Sequence, residues 1–229
     1  MAELPPILLA GMTGFISGLL LSIPVGPVNL TILHEGTRRG FRRALLISLG
    51  AACMEVVYCF IAFSGLASFL THAYVRGAME LFSFVFLLFL GVKFLLAKPA
   101  DVSAPLGTTV NRLEERLEES LHPHSAFMIG LVRVLGNVGV LAVWVVFAAY
   151  FISREWVTPD WPGKLACVAG VTLGIGLWFL VLSYSASRGH GKFSERTLLR
   201  IEHWSGLALV LLALAQGGHI LWQLARHPW

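Results

Sequence analysis

Charge is scarce in this chain. Only 13% of its 229 residues are Asp, Glu, Lys or Arg, about half of the roughly 25% with which a soluble domain keeps its surface in water. A solvated globular or disordered chain is excluded on that ground. Cysteine is scarce as well. Cys53, Cys59 and Cys167 all lie in apolar stretches and form no C-x-x-C pair, which argues against a disulfide framework or a thiolate zinc site and leaves three small apolar side chains. His34, His203 and His219 are scattered, and His122-Pro-His124 is too short a cluster to hold zinc. No HExxH or His–Ser spacing occurs in the apolar runs, so hydrolytic chemistry has no candidate residues. The net charge of +4 has no basic, aromatic-studded soluble face behind it, which removes nucleic acid as a partner.

What the chain does have is hydrocarbon: 56% of its residues are hydrophobic and the mean hydropathy is +0.75. Six apolar runs cover residues 7–33, 44–70, 78–96, 125–152, 165–186 and 203–225, each near or above the ~20 residues that a membrane-crossing helix needs. The first run lacks a basic start and a small-x-small cleavage site, so it reads as a span and not as a cleaved leader. Lys and Arg collect on alternate sides. Arg38, Arg39, Arg42 and Arg43 follow the first span, Lys93, Lys98, Arg112 and Arg116 the third, and Arg188, Lys192, Arg196 and Arg200 the fifth. The opposite side holds Arg76, Arg154, Lys164 and Arg226. The rich loops are expected in the cytoplasm, with both termini outside.

One loop is long. Residues 98–124 contain a stretch, 109–121, in which Leu113, Leu117 and Leu121 recur every four residues among acids and arginines. This spacing predicts a short amphipathic helix in a solvated connector.

The two sides of that connector resemble each other. Residues 18–28 align with 130–140: a glycine opens each, Pro24 falls against Gly136, and Pro27 against Gly139. Leu49-Gly50 matches Ala169-Gly170, bringing Tyr58 opposite Trp178, and Glu80-x-x-Ser83 matches Glu202-x-x-Ser205. The expected fold is an all-α membrane protein of six transmembrane helices. Residues 1–97 and 125–229 form two three-helix repeats joined by the linker 98–124. Because three is odd, the second repeat is inverted, and the first and fourth helices are interrupted at matching points. Such inverted, interrupted repeats are characteristic of secondary transporters, whose substrate sits at the interruption.

The run Pro24-Val25-Gly26-Pro27 gives a physical reason for a break. Two prolines remove two backbone donors and clash with the preceding turn. In hydrocarbon the freed carbonyls cost several kcal/mol each unless protein, water or a ligand meets them. A half-helix starting near Pro27 and Asn29 would aim its positive end at the gap, where an anionic group could bind. Two ionisable residues also lie deep in spans, Glu55 and Arg133; at ~2.5–3.5 kcal/mol or more each, such groups are usually functional. Either they pair with each other to hold the bundle, or they face a cavity with Pro24, Gly26, Pro27, Asn29 and Asn137. Glu55, the acid in mid-membrane, is also the candidate proton-coupling group.

On these residues the chain resembles the LysE/RhtB superfamily of lysine and threonine/homoserine exporters. The resemblance rests on Pro24-Val-Gly-Pro27 with Asn29-Leu30, on Gly36-Thr-Arg-Arg-Gly40, and on Gly50 five residues before the acid Glu55. Further along come Gly130, Asn137 and Trp144, then Gly174 with Trp178, and Ser205-Gly206 with Gly217. The family's second break is typically Asn-Pro, often with lysine next, whereas Asn137-Val138-Gly139 stands here; no lysine-dependent step carries over. The resemblance implies a non-enzymatic bacterial inner-membrane exporter of amino acids or related metabolites, driven by protons, without a cofactor and with self-association left open. A divalent-cation exporter is the nearest alternative, and a thiol–disulfide carrier or a purely structural bundle are rivals from other classes. The absence of a second intramembrane acid favours a neutral amino acid over a cationic one.

Overall fold

The computed structural model describes residues 5–24, 26–66, 73–97, 125–188 and 195–226, and the regular structure among them is helix without strand. Eight helices follow one another: α1 (Pro6–Ser22), α2 (Pro27–Arg39), α3 (Phe41–Leu66), α4 (Ala73–Leu95), α5 (Ala126–Leu135), α6 (Val138–Ser153), α7 (Trp161–Arg188) and α8 (Glu195–Arg226). The expected amphipathic helix at 109–121, and the linker around it, lie outside the described residues.

The long helices are apolar on both faces. On α7, Ile175 is fully buried while Leu173, two residues away, is 66% exposed. An outward face of leucine and phenylalanine is a liability in water and the required surface in lipid. Phe41–Gly65, Trp161–Arg188 and Leu199–Trp222 are each long and apolar enough to cross a bilayer. Two bent pairs raise the number to five: α1 with α2, turned by 70°, and α5 with Gly139–Ser153 of α6, turned by 65°. Helix α4, 23 residues long, covers the third run expected from sequence. The chain is a multi-pass membrane protein.

The first run does not end where hydropathy predicts, at residue 33. Helix α2 carries on to Arg39, and the chain reverses at Gly40, whose φ of 82° suits a residue without Cβ. The Gly40 amide caps α2 by donating to the Gly36 carbonyl at 3.0 Å, as in a helix C-terminus closed by glycine. Glu35 then holds the corner together, meeting Arg39 at 3.6 Å and pairing with Arg43 across the turn. Arg42 and Arg43 accordingly lie in the first turn of α3, which begins at Phe41.

Without a hydrophobic drive between helices in lipid, close backbone approach at small residues must supply the packing. Two crossings do this in matching fashion. A Cβ on Gly50 of α3 would strike the Phe127 carbonyl of α5, and one on Gly130 of α5 would strike the Ile47 carbonyl of α3. On the other side of the bundle, Gly14 of α1 meets Cys167 of α7 in the same way, and Gly170 of α7 meets Gly11 of α1. Polar ties add direction. Ser48 of α3 bonds to Ser183 of α7 at 2.8 Å, and Gln216 of α8 donates to the Glu80 carbonyl of α4 at 2.8 Å.

Candidate functional site

Both bends open toward one space. At the first, α1 stops at Ser22 and α2 restarts with Gly26 as its cap and Pro27 in its first turn, a position where the missing amide costs nothing. No side chain caps this start, so the first-turn amides of Val28 and Asn29 have no intrahelical partner. The carbonyls left over at the end of α1 do have one. Asn29, only 5% exposed, donates its amide to the Ser22 carbonyl at 2.9 Å and to the Pro24 carbonyl at 2.7 Å. Its Oδ1 is buried without a hydrogen-bond partner.

The second break is shorter. Helix α5 ends at Leu135, Gly136 donates to the Val132 carbonyl at 2.9 Å, and α6 starts from Asn137, again without a side-chain cap. Here the rescue comes from a different helix: the Tyr58 hydroxyl of α3 donates to the Leu135 carbonyl at 2.8 Å.

Between the breaks lies a cavity of about 280 Å³. Of the residues anticipated from sequence, Pro24, Gly26, Pro27, Asn29, Glu55 and Asn137 line it together. Arg133 does not. It sits in the last turn of α5, outside the lining. Among the described residues no Lys, Arg or His side chain lines the cavity. Its polar side chains among the described residues are Ser22, Asn29, Glu55 and Asn137, with the indole N–H of Trp144 from α6, and the other side chains are apolar: Phe86, Phe89, Leu90 and Phe94 from α4, Val140 and Val143 from α6, Phe179 from α7 and Leu209 from α8.

Sequence reasoning missed this apolar wall. A signal existed in the α4 residues 86, 90 and 94, which recur at helical spacing, but in a helix that is apolar all round such a stripe is indistinguishable from core or lipid face. The part played by Tyr58 was equally hidden, since its partner is 77 residues away. A second cavity of about 240 Å³ runs from Leu9 along α1 to Tyr150 and Trp156 and shares Leu21, Pro24 and Leu209 with the first. Among the described residues no three His, Cys, Asp or Glu side chains gather as they would to hold a metal ion.

A broken membrane helix aimed at a mid-bundle cavity is transporter architecture, and comparison with known proteins names the kind. The family model for LysE type translocators matches residues 19–216, most of the chain. The chain belongs to that family. Among curated proteins, this translocator is 26% identical over 202 residues to the "Putative amino acid efflux protein YcgF" of Bacillus subtilis, covering 87% of this chain and 91% of that one. It is 27% identical over 168 residues to the "Chemotactic transduction protein ChpE" of Pseudomonas aeruginosa, covering 73% and 77% respectively. No solved structure matches it significantly. As a translocator, the chain handles a small-molecule substrate within the lipid bilayer.

Proposed function

We propose that this translocator exports amino acids across the bacterial inner membrane, with both termini on the outer side, and that its substrate binds in the cavity between the two breaks. The observation that carries the reading is the convergence of two uncapped helix starts, Glu55 and Asn29, whose Oδ1 has no hydrogen-bond partner, on one cavity. An amino acid brings one carboxylate and one ammonium group. The first-turn amides of α2 and the start of α6 suit the carboxylate; Glu55 and Asn29 Oδ1 suit the ammonium. Arg133 belongs in this scheme to the end of α5, where a cation meets the negative end of the helix dipole. A divalent cation would want six or more oxygen ligands, and among the described residues the cavity offers a single carboxyl group.

The likeness of the two halves supports an inverted repeat of residues 1–97 and 125–229. Each half has a broken leading helix, and the glycine crossing of α3 on α5 is matched by that of α7 on α1. In this reading the halves rock about the fixed cavity, and Glu55 alternates between binding the ammonium group and carrying a proton inward. The second cavity, meeting the first at Leu21, Pro24 and Leu209, extends the route along α1.

Efflux from cells with and without the protein, for a panel of amino acids and across pH, tests the proposal. At least one amino acid should leave faster when the protein is present. Glu55→Gln, at equal protein in the membrane, should abolish the pH dependence of that efflux. A Glu55→Gln variant with the unaltered pH profile would remove the proton role from this residue.

A further inference from the structure

The wall of the cavity defines which amino acid fits. Apart from the Trp144 indole N–H, its polar side chains among the described residues lie at the breaks and on α3, as Ser22, Asn29, Glu55 and Asn137, the groups that the proposed reading assigns to the two ends of a zwitterion. Facing them are Phe86, Leu90 and Phe94 of α4, Trp144 of α6 and Phe179 of α7. Leu90, Phe94, Trp144 and Phe179 are all at most 9% exposed, so these are interior surfaces and not part of the lipid face. Among the described residues a cationic side chain there would find no second acid and an acidic one no cation, while a hydroxyl would find beyond the break only the Trp144 indole N–H, so each would be desolvated with little compensation. A volume of about 280 Å³ lies at the small end of ligand pockets, room for one compact molecule.

We infer that the substrate class is the bulky apolar amino acids, phenylalanine and leucine in type, with the side chain laid against the α4–α6–α7 wall. The inference rests on the proposed binding site and adds the selectivity. Discrimination against hydrophilic side chains comes from the wall, and discrimination among apolar ones from its rings, chiefly Phe86, which is partly exposed to the cavity and open to change.

Counterflow in proteoliposomes of the full chain, loaded in turn with unlabelled L-phenylalanine, L-leucine, L-threonine or L-lysine, reads this without any assumption about coupling. Labelled phenylalanine and leucine should exchange at least tenfold faster than threonine or lysine. Phe86→Ala should shift the leucine-to-phenylalanine preference about tenfold toward leucine, the discrimination that loss of an apolar contact of this size supports. Phe86→Leu provides a second variant with the volume largely kept, and should shift the ratio in the same direction by less. Selective exchange of threonine or lysine overturns the wall while leaving amino-acid export standing. Exchange of none of the four by monodisperse protein overturns both. Phe86 variants with an unchanged preference overturn the role of the ring alone.

Discussion

The two helix breaks solve one problem in different ways. Each interrupts a helix in a setting without water to meet the freed carbonyls. At the first, the remedy is local: Asn29, five residues beyond Pro24, folds back and donates to the Ser22 and Pro24 carbonyls. At the second the remedy is remote, since Tyr58 reaches from α3 to the Leu135 carbonyl. At the first break the closing bonds are therefore all made within one segment. The second is coupled to the position of α3, the helix that also carries Glu55. A shift of α3 would act directly on the hydrogen bond that closes the second break and not on the Asn29 bonds that close the first, an asymmetry between halves of similar sequence.

The prolines are the largest lever on this contrast. Pro24→Ala with Pro27→Ala restores two amides and lets α1 and α2 run on as one helix, removing the 70° turn. Membrane level should hold while efflux falls to near background; efflux at the parental rate would move the site away from the first break.

Next comes the local remedy. Asn29→Leu strands two carbonyls at once, with an expected cost of about 2–3 kcal/mol, read as a lowered Tm of the purified protein in detergent. The remote remedy is one hydrogen bond, so Tyr58→Phe should cost less, about 1 kcal/mol. Its distinguishing sign is coupling. Combined with Gly50→Ala, which pushes α3 from α5 at the Phe127 carbonyl, Tyr58→Phe should be less than additive, because the separated helices have already lost the bond. Asn29→Leu with Gly50→Ala should be additive. Additivity in both pairs would erase the distinction between the breaks.

The same contrast explains what could be read before folding. Pro24 and Pro27 announce a break because their effect is on their own backbone, and the chain indeed leaves the helix between Ser22 and Gly26. The second break, with glycine and asparagine only, was found through the alignment of the halves. The extension of α2 to Arg39 was not legible, since hydropathy falls at His34 and Glu35 while the helix continues to the glycine at position 40. Nor was the parting of Glu55 from Arg133. Both are charges at membrane depth in sequence, but Glu55 lines the cavity and Arg133 does not, and which side chains of α3 and α5 turn inward depends on how the two helices pack, close together at Gly50 and Gly130.

By itself, then, the sequence determined that the chain is helical and embedded in a membrane, because scarce charge and long apolar runs have no other stable solution. It also determined the first break, because proline acts on the residues next to it. Only the tertiary structure decided which side chains share a cavity. Phe86, Trp144 and Phe179 come from three helices far apart in sequence, and on helices apolar all round no periodicity distinguishes the face turned to a substrate from the face turned to lipid.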